Sequence, residues 1–392
     1  MEAKGFKYAG IAAGIKKNGK KDLALICSDS ELVAAGVFTT CAVKAAPVVL
    51  DRERLKDGKA RAIIINSGNA NACTGEEGYE NALATAKALA EKLDIAEEEV
   101  LVSSTGVIGE QLPMDKMLGR LGPLVEALDE DALSDAAEAI MTTDLFSKTC
   151  SRSVRIEGKE VTVTGLAKGA GMISPDMATM LAYVMTDANI DADTLQHTLE
   201  VATNVSFNCI TVDGDMSTND TVIALASGKS GVDVKVGTAA FEPLLSTMKE
   251  VMIELARMIV RDGEGATKLI EIRVTGAETA EEAKKAACKV ANSPLVKTAF
   301  YGEDANWGRI AAAVGGAGII LDESRLGIAF DDIPLVENGL FIGKEAEAMA
   351  TKCMKAKEIT LTIAINLGAC DATVWTCDLT HDYIRINAEY RS

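Results

Sequence analysis

Only two histidines, His197 and His381, occur in the 392 residues, so a histidine-based acyl-transfer triad has almost no candidates. His197 falls in a stretch of helical spacing and His381 follows a strand-like run, and an ordinary structural role fits each better than catalysis. Acyl transfer would then need another base, and the free α-amino group of an N-terminal threonine or serine is one chemical solution. Two segments rich in small polar residues could serve such chemistry. Asn66-Ser67-Gly68-Asn69-Ala70-Asn71 and Ser103-Ser104-Thr105-Gly106-Val107-Ile108-Gly109 each follow a short β-like run, where backbone N–H groups and hydroxyls can be presented at a sheet end as an oxyanion hole. Composition alone fits a plain loop equally well.

Other chemistry-bearing patterns fail on spacing. Gly228-Lys229-Ser230 resembles the tail of a phosphate loop, but the glycine needed five positions before Gly228 is Ile223. Gly165-Leu166-Ala167-Lys168-Gly169-Ala170-Gly171-Met172 could cradle an anion, yet it matches neither the dinucleotide fingerprint nor the phosphate loop, and a glycine-rich turn is more often structural. The acidic run at 213–220 lacks a calcium loop's glycine at position six, which is Thr218, and its glutamate at position twelve, which is Ala224. A hydrogen-bonded turn before a strand is the better expectation. No cysteine pair has C-x-x-C spacing, and no metal site is expected.

The elements that must position these residues are partly readable. Ile359, Leu361, Ile363, Ile365 and Leu367 alternate with smaller polar residues, predicting a strand over 359–367, with another at 371–377. Leu244, Leu245, Met248, Val251, Met252, Leu255 and Ile259 recur at helical spacing, predicting a core-facing helix over 241–261 stopped near Gly263. Further helices are expected at 79–93, 131–141, 191–203 and 279–291, and further strands at 23–27, 62–65, 100–103, 161–164 and 221–226. No repeat of solenoid length recurs. Mixed strands and helices predict an α+β class with stacked layers.

A hydrophobic content of 48% suits a packed globular protein, and 58 acidic against 40 basic residues give a formal charge of −18. That charge disfavours nucleic acid and anionic membrane as partners while leaving room for a local cationic pocket. The first residues lack the apolar stretch of a secretory signal, and the weakly polar run at 310–321 is too short and glycine-interrupted to span a bilayer. Nine scattered cysteines are expected to be reduced, in a cytoplasmic protein.

The segment Lys168-Gly169-Ala170-Gly171-Met172-Ile173-Ser174-Pro175-Asp176-Met177-Ala178-Thr179-Met180-Leu181 resembles the self-cleavage signature of the ornithine acetyltransferase family, also called glutamate N-acetyltransferase, of arginine biosynthesis. The stretches 66–75, 104–109, 142–144, 212–221, 261–267, 302–309 and 383–390 follow in family order, so the resemblance spans essentially the whole chain. Ser392 stands where many members carry threonine and keeps the hydroxyl and terminal carboxylate.

The resemblance implies a layered α/β sandwich of the ornithine acetyltransferase/aminopeptidase type with an N-terminal nucleophile. It implies cleavage of the Ala178–Thr179 bond into pieces 1–178 and 179–392, which fold together as one catalytic unit and assemble as two copies of each. Thr179 would be the nucleophile, and Thr105 and Gly106 the oxyanion stabilisers. Thr142, Lys168, Thr179, Glu264, Asn387 and Ser392 would line the substrate pocket, with Lys168 on a substrate carboxylate and Glu264 on an ammonium. The implied reaction moves acetyl from N2-acetyl-L-ornithine to L-glutamate without a cofactor, and acetyl-CoA is a second candidate donor. Two other readings stay open at this level: an aminopeptidase or amidohydrolase with the same nucleophile, and a non-catalytic protein that binds a small ligand.

Overall fold

The computed structural model describes residues 2–174 and 180–389. Along the first part of the chain run β1 (Lys7–Ile11), β2 (Leu23–Phe38), β3 (Lys59–Asn69), β4 (Val100–Val107), β5 (Lys148–Ile156) and β6 (Lys159–Lys168). They are followed by β7 (Leu181–Thr186), the short β8 (Asn189–Ile190), β9 (Thr221–Ala226) and the short β10 (Asp233–Val234). An eight-stranded sheet has the order β4-β3-β2-β9-β7-β6-β5, with β1 paired to β2, while β8 and β10 pair separately. Within the eight-stranded sheet two pairs are parallel, β3 with β4 and β7 with β9. Strands from before and after residue 178 share this sheet, because β6 and β7 are antiparallel neighbours with Lys168 opposite Leu181.

The middle of the sheet is covered on both faces. Ala182 and Val184 of β7 pack with the helices Ala192–Asn204 and Phe241–Arg261, whereas Tyr183 and Met185 pack with Phe6, Tyr8 and the helix Leu133–Ala139. Every residue of β7 is buried. A strand buried on both faces has no apolar alternation to read, which is why β7 escapes the sequence pattern.

A second sheet lies wholly in the later part of the chain. Its strands are β11 (Leu269–Ala277), β12 (Gly327–Phe330), β13 (Ile333–Glu337), β14 (Leu340–Phe341), β15 (Glu358–Ala364) and β16 (Cys370–Cys377), in the order β14-β13-β12-β15-β11-β16. Ile359, Leu361 and Ile363 of β15 turn one face onto the helices Ala280–Ala291, Pro294–Tyr301 and Trp307–Gly315. The two sheets with their helices make the layered α+β fold that the sequence predicts.

Differences from expectation are local. The helix Phe241–Arg261 and β9 have the predicted limits, while the 131–141 helix shrinks to Leu133–Ala139. The strand expected over 359–367 stops at Ala364, because Asn366 takes a left-handed φ of 59° in the turn to β16. Gly165 to Lys168 are not a glycine-rich turn but the last part of β6, and the Cβ that Gly165 lacks would lie 2.6 Å from Leu255 of the long helix. His381 opens a helix, His381–Glu389, that alternation and spacing did not reveal. Among the described residues no helix is long and apolar enough to cross a membrane.

Candidate active site

The two small-residue segments are strand ends rather than loops. Asn66 to Asn69 close β3, Ser103 to Val107 close β4, and the parallel register sets Ser67 beside Thr105 and Gly68 beside Gly106. Gly106 has φ 134°, and a Cβ there would sit 2.4 Å from the Gly68 carbonyl carbon, so the backbones approach this closely only because residue 106 has no side chain. Side-chain amides lock the arrangement. Ser104 Oγ donates to Asn66 Oδ1 at 2.6 Å, and Asn219 Nδ2, from the turn before β9, donates to the carbonyls of Ala70 at 2.6 Å and Ser104 at 2.8 Å.

Lys168, the last residue of β6, is 3% exposed and donates from Nζ to Thr105 Oγ1 at 3.2 Å. With its lone pair so occupied, the Thr105 hydroxyl is set to donate its own hydrogen elsewhere. Burial lowers the Lys168 pKa, the nearby Lys148 lowers it further, and Asp144 and Glu264 oppose the change. Asp144 is the hub behind it: Oδ1 accepts from the Gly169 N–H at 2.7 Å and from Lys148 Nζ at 2.7 Å, and Oδ2 accepts from the Thr142 N–H at 2.9 Å. Burial alone would raise the Asp144 pKa, but Lys168, Lys148 and these hydrogen bonds hold it below the ordinary carboxylate range. Lys148 bridges onward to Asp262 Oδ2 at 2.6 Å, which ties the Thr142 loop to the end of the long helix and so to Glu264 two residues later.

The opposite wall comes from the later part of the chain. The Glu264 N–H donates to the Ala170 carbonyl at 2.8 Å, and its Oε2 accepts from Asn387 Nδ2 at 2.8 Å. A Cβ on Gly171 would stand 2.5 Å from the Glu264 carboxyl carbon, so that glycine leaves the carboxylate its room. The helix carrying Asn387 is pinned by Thr380 Oγ1 donating to the Gly265 carbonyl at 2.7 Å and by Tyr383 Oη donating to Asp213 Oδ2 at 3.2 Å. Thr105, Gly106, Thr142, Lys168, Glu264 and Asn387 all line one cavity of about 410 Å³. Ala178, Thr179 and Ser392 lie outside the described residues.

The chain matches the ArgJ family over residues 7–392. It belongs to the ArgJ family. The arginine biosynthesis bifunctional protein ArgJ of Geobacter sulfurreducens is 51% identical over 396 residues, covering 100% of both chains. That of Desulfotalea psychrophila is 51% identical over 393 residues, again covering 100% of both. A crystal structure of the arginine biosynthesis bifunctional protein argJ from Bacillus halodurans is similar with a TM-score of 0.52 and 42% identity, covering 53% of this chain and 98% of that one.

Within this ArgJ-family chain, the residues that sequence reasoning missed are mostly supports. Lys148 gave no signal, since a lysine in a strand ordinarily faces solvent, yet its side chain is wholly buried. Asn219 and Tyr383 lay inside stretches that carry the resemblance, but only the fold shows what they hold. The acidic turn at 213–220 is structural in part: Asp213 accepts the N–H groups of Met172 at 2.7 Å and Ile173 at 2.9 Å. Among the described residues no group of three or more His, Cys, Asp or Glu is placed to hold a metal ion.

Proposed function

We propose that this chain transfers the acetyl group of N2-acetyl-L-ornithine to L-glutamate, giving L-ornithine and N-acetyl-L-glutamate through an acetyl ester on Thr179. The observation that carries this reading is that Lys168, Thr105, Gly106, Glu264 and Asn387 line one and the same cavity. It suits a small amino-acid derivative with charged groups at both ends. Whole-length identity of 51% to proteins named for arginine biosynthesis supports the pathway.

The chain matures first. The Thr179 hydroxyl attacks the Ala178 carbonyl, the acyl group moves from nitrogen to oxygen, and water hydrolyses the ester to free an α-amino group. The Bacillus halodurans polypeptide is matched almost end to end by about half of this chain, which is the size relation that pieces 1–178 and 179–392 would show. With an unperturbed pKa of about 7.7–8.0, the new amine is partly neutral at working pH and can take the hydroxyl proton in the next attack.

In the first half-reaction Thr179 attacks the acetyl carbonyl, and the oxyanion that develops is met by the Thr105 hydroxyl and the Gly106 N–H. The proton held on the α-amino group passes to the leaving nitrogen of ornithine. Glutamate then enters, loses a proton from its ammonium, attacks the ester and regenerates the Thr179 hydroxyl. Lys168 pairs with the α-carboxylate that both substrates share, and Glu264 with the ornithine ammonium. Thr142 and Ser392 complete the pocket, acetyl-CoA serves as an alternative donor, and two copies of each piece assemble in the cytoplasm.

The test is to incubate purified protein with N-acetylornithine, with and without glutamate, and follow both products. Acetylglutamate should form in step with ornithine. Acetate formation at a rate that glutamate does not change would instead support the hydrolase. Intact mass should show pieces ending at Ala178 and beginning at Thr179, and absence of that cut from active material would overturn the nucleophile assignment.

A further inference from the structure

One buried carboxyl beside the site has no described role in the reaction. Asp220 stands at the start of β9, 0% exposed. The parallel register of β7 with β9 sets Leu181 beside Thr221, so Asp220 lies alongside Met180, the residue that follows the proposed nucleophile. Its Oδ1 accepts the Met180 N–H at 3.1 Å. Among the described residues its Oδ2 has no hydrogen-bond partner of ordinary geometry, and the Thr39 side chain is the hydroxyl that stands nearest to the carboxyl. The backbone around it is fixed from both sides, because the Thr39 N–H donates to the Asp220 carbonyl at 2.9 Å and the Thr221 N–H to the Met180 carbonyl at 3.1 Å.

Covalent geometry adds the decisive constraint. Successive backbone nitrogens are joined by three bonds and stand no more than about 4 Å apart. A carboxyl that accepts the Met180 N–H at 3.1 Å is therefore no more than about 7 Å from the preceding backbone nitrogen. That nitrogen must gain a proton when the preceding peptide bond breaks.

We propose that Asp220 carries the proton of self-cleavage, delivering it to the nitrogen of Thr179 as the bond from the Ala178 carbonyl carbon to that nitrogen breaks. The inference rests on Thr179 being the nucleophile. The Thr179 oxygen forms the new bond to the Ala178 carbonyl carbon, the electron pair of the broken C–N bond stays on nitrogen, and the nitrogen takes the carboxyl proton. The proton lost by the Thr179 hydroxyl returns to the Asp220 carboxylate, which ends as it began.

Two features suit the group to this task. Burial pushes the Asp220 pKa well above the ordinary carboxylate range, against the pull of the Met180 N–H, the Thr39 side chain and Lys168, so it holds a proton where an exposed aspartate would not. An asparagine would accept the Met180 N–H equally well, so positioning alone does not call for an acid. A buried carboxyl with one oxygen bound and the other without a partner of ordinary geometry among the described residues is costly as pure structure.

The test is the rate of chain cleavage in Asp220→Asn, followed by intact mass, with the thermal midpoint of the uncleaved protein measured alongside. The expected result is a folded protein whose cleavage is slowed at least about 100-fold, the scale of a lost proton-transfer group. Cleavage of Asp220→Asn at the wild-type rate would overturn the proposal. Should Asp220→Asn fail to fold, Asp220→Ala with added formate decides: restored cleavage supports the role, and none removes it. Thr179→Ala separates the two levels, because cleavage of that variant before residue 179 would sink the nucleophile reading itself, whatever the Asp220 variants do.

Discussion

The two sheets of this chain are built from similar strands but bury very different things. The six-stranded sheet buries mostly aliphatic side chains such as Ile272, Ile328, Leu361 and Ile363 against its helices, its buried Lys297 meets neutral groups of β16, and the pairs Arg273 with Glu271 and Arg257 with Glu358 stay nearer the surface. The eight-stranded sheet takes Asp144, Lys148, Lys168 and Asp220 out of water where its strands end. Unpaired charge in such a place would cost several kcal/mol, so it is tolerated only inside a connected network. One sheet supplies stability and the other spends part of it on chemistry.

Disabling the charged hub should be the harshest way to test that contrast. Asp144→Asn leaves Lys148 and Lys168 short of their carboxylate, with an expected loss of about 3–5 kcal/mol in stability. Because the folded-state pKa of Asp144 is depressed, its contribution is full above the unfolded value near 3.9 and is lost as pH falls through the folded value. The stability gap between wild type and variant, measured by urea melts, should therefore be level from about pH 8 to pH 5 and narrow only in stronger acid. A gap that widens on acidification would contradict the assignment.

Next in size is Thr105→Ala, which removes the partner of Lys168 and, on the proposed mechanism, one oxyanion donor. Maturation and turnover should both fall by about 10²–10³ with little change in melting temperature. Unchanged rates would move the oxyanion site away from the end of β4.

Lys168→Met should weaken N-acetylornithine and glutamate by similar factors, reflecting a charge-assisted contact worth about 1.5–3 kcal/mol. The two half-reactions must be measured separately on mature protein. Loss confined to glutamate would put Lys168 at the side-chain tail instead of the shared carboxylate.

The mildest change belongs to the other sheet. Ile363→Val removes one methylene from a fully buried position in β15 and should cost about 0.5–1.5 kcal/mol of stability. Its kcat and KM should match wild type, and a shift in either would mean that the six-stranded sheet is coupled to the site more closely than its packing suggests.

The same contrast explains what the sequence could disclose. Half-buried elements advertise themselves, so the stripe from Leu244 to Ile259 and the alternation from Ile359 to Ile363 are legible with their inward faces. Leu181 to Thr186 is not, because burial on both faces erases alternation. Glu264 and Asn387 were reachable only through resemblance, whereas Thr105, Gly106 and Lys168 lay in small-residue stretches that, on composition alone, fit a plain loop or turn equally well. Lys148 and Asp220 were beyond reach, because burial of a charged residue is decided by strands that are far apart in the chain. Thr179, Ala178 and Ser392 keep the standing that the resemblance gave them.

The adjacency of β6 and β7 reaches beyond catalysis. Before the cut, Lys168 and Leu181 are joined by a short connection, so the pairing of these strands is a local event with a small loop-closure cost. With the proposed cut before Thr179, the same ladder would join two separate molecules. Refolding from denaturant then becomes a bimolecular reaction, slower on dilution, and the apparent stability acquires a dependence on protein concentration. On that reading the uncleaved precursor is the form fitted to find the fold.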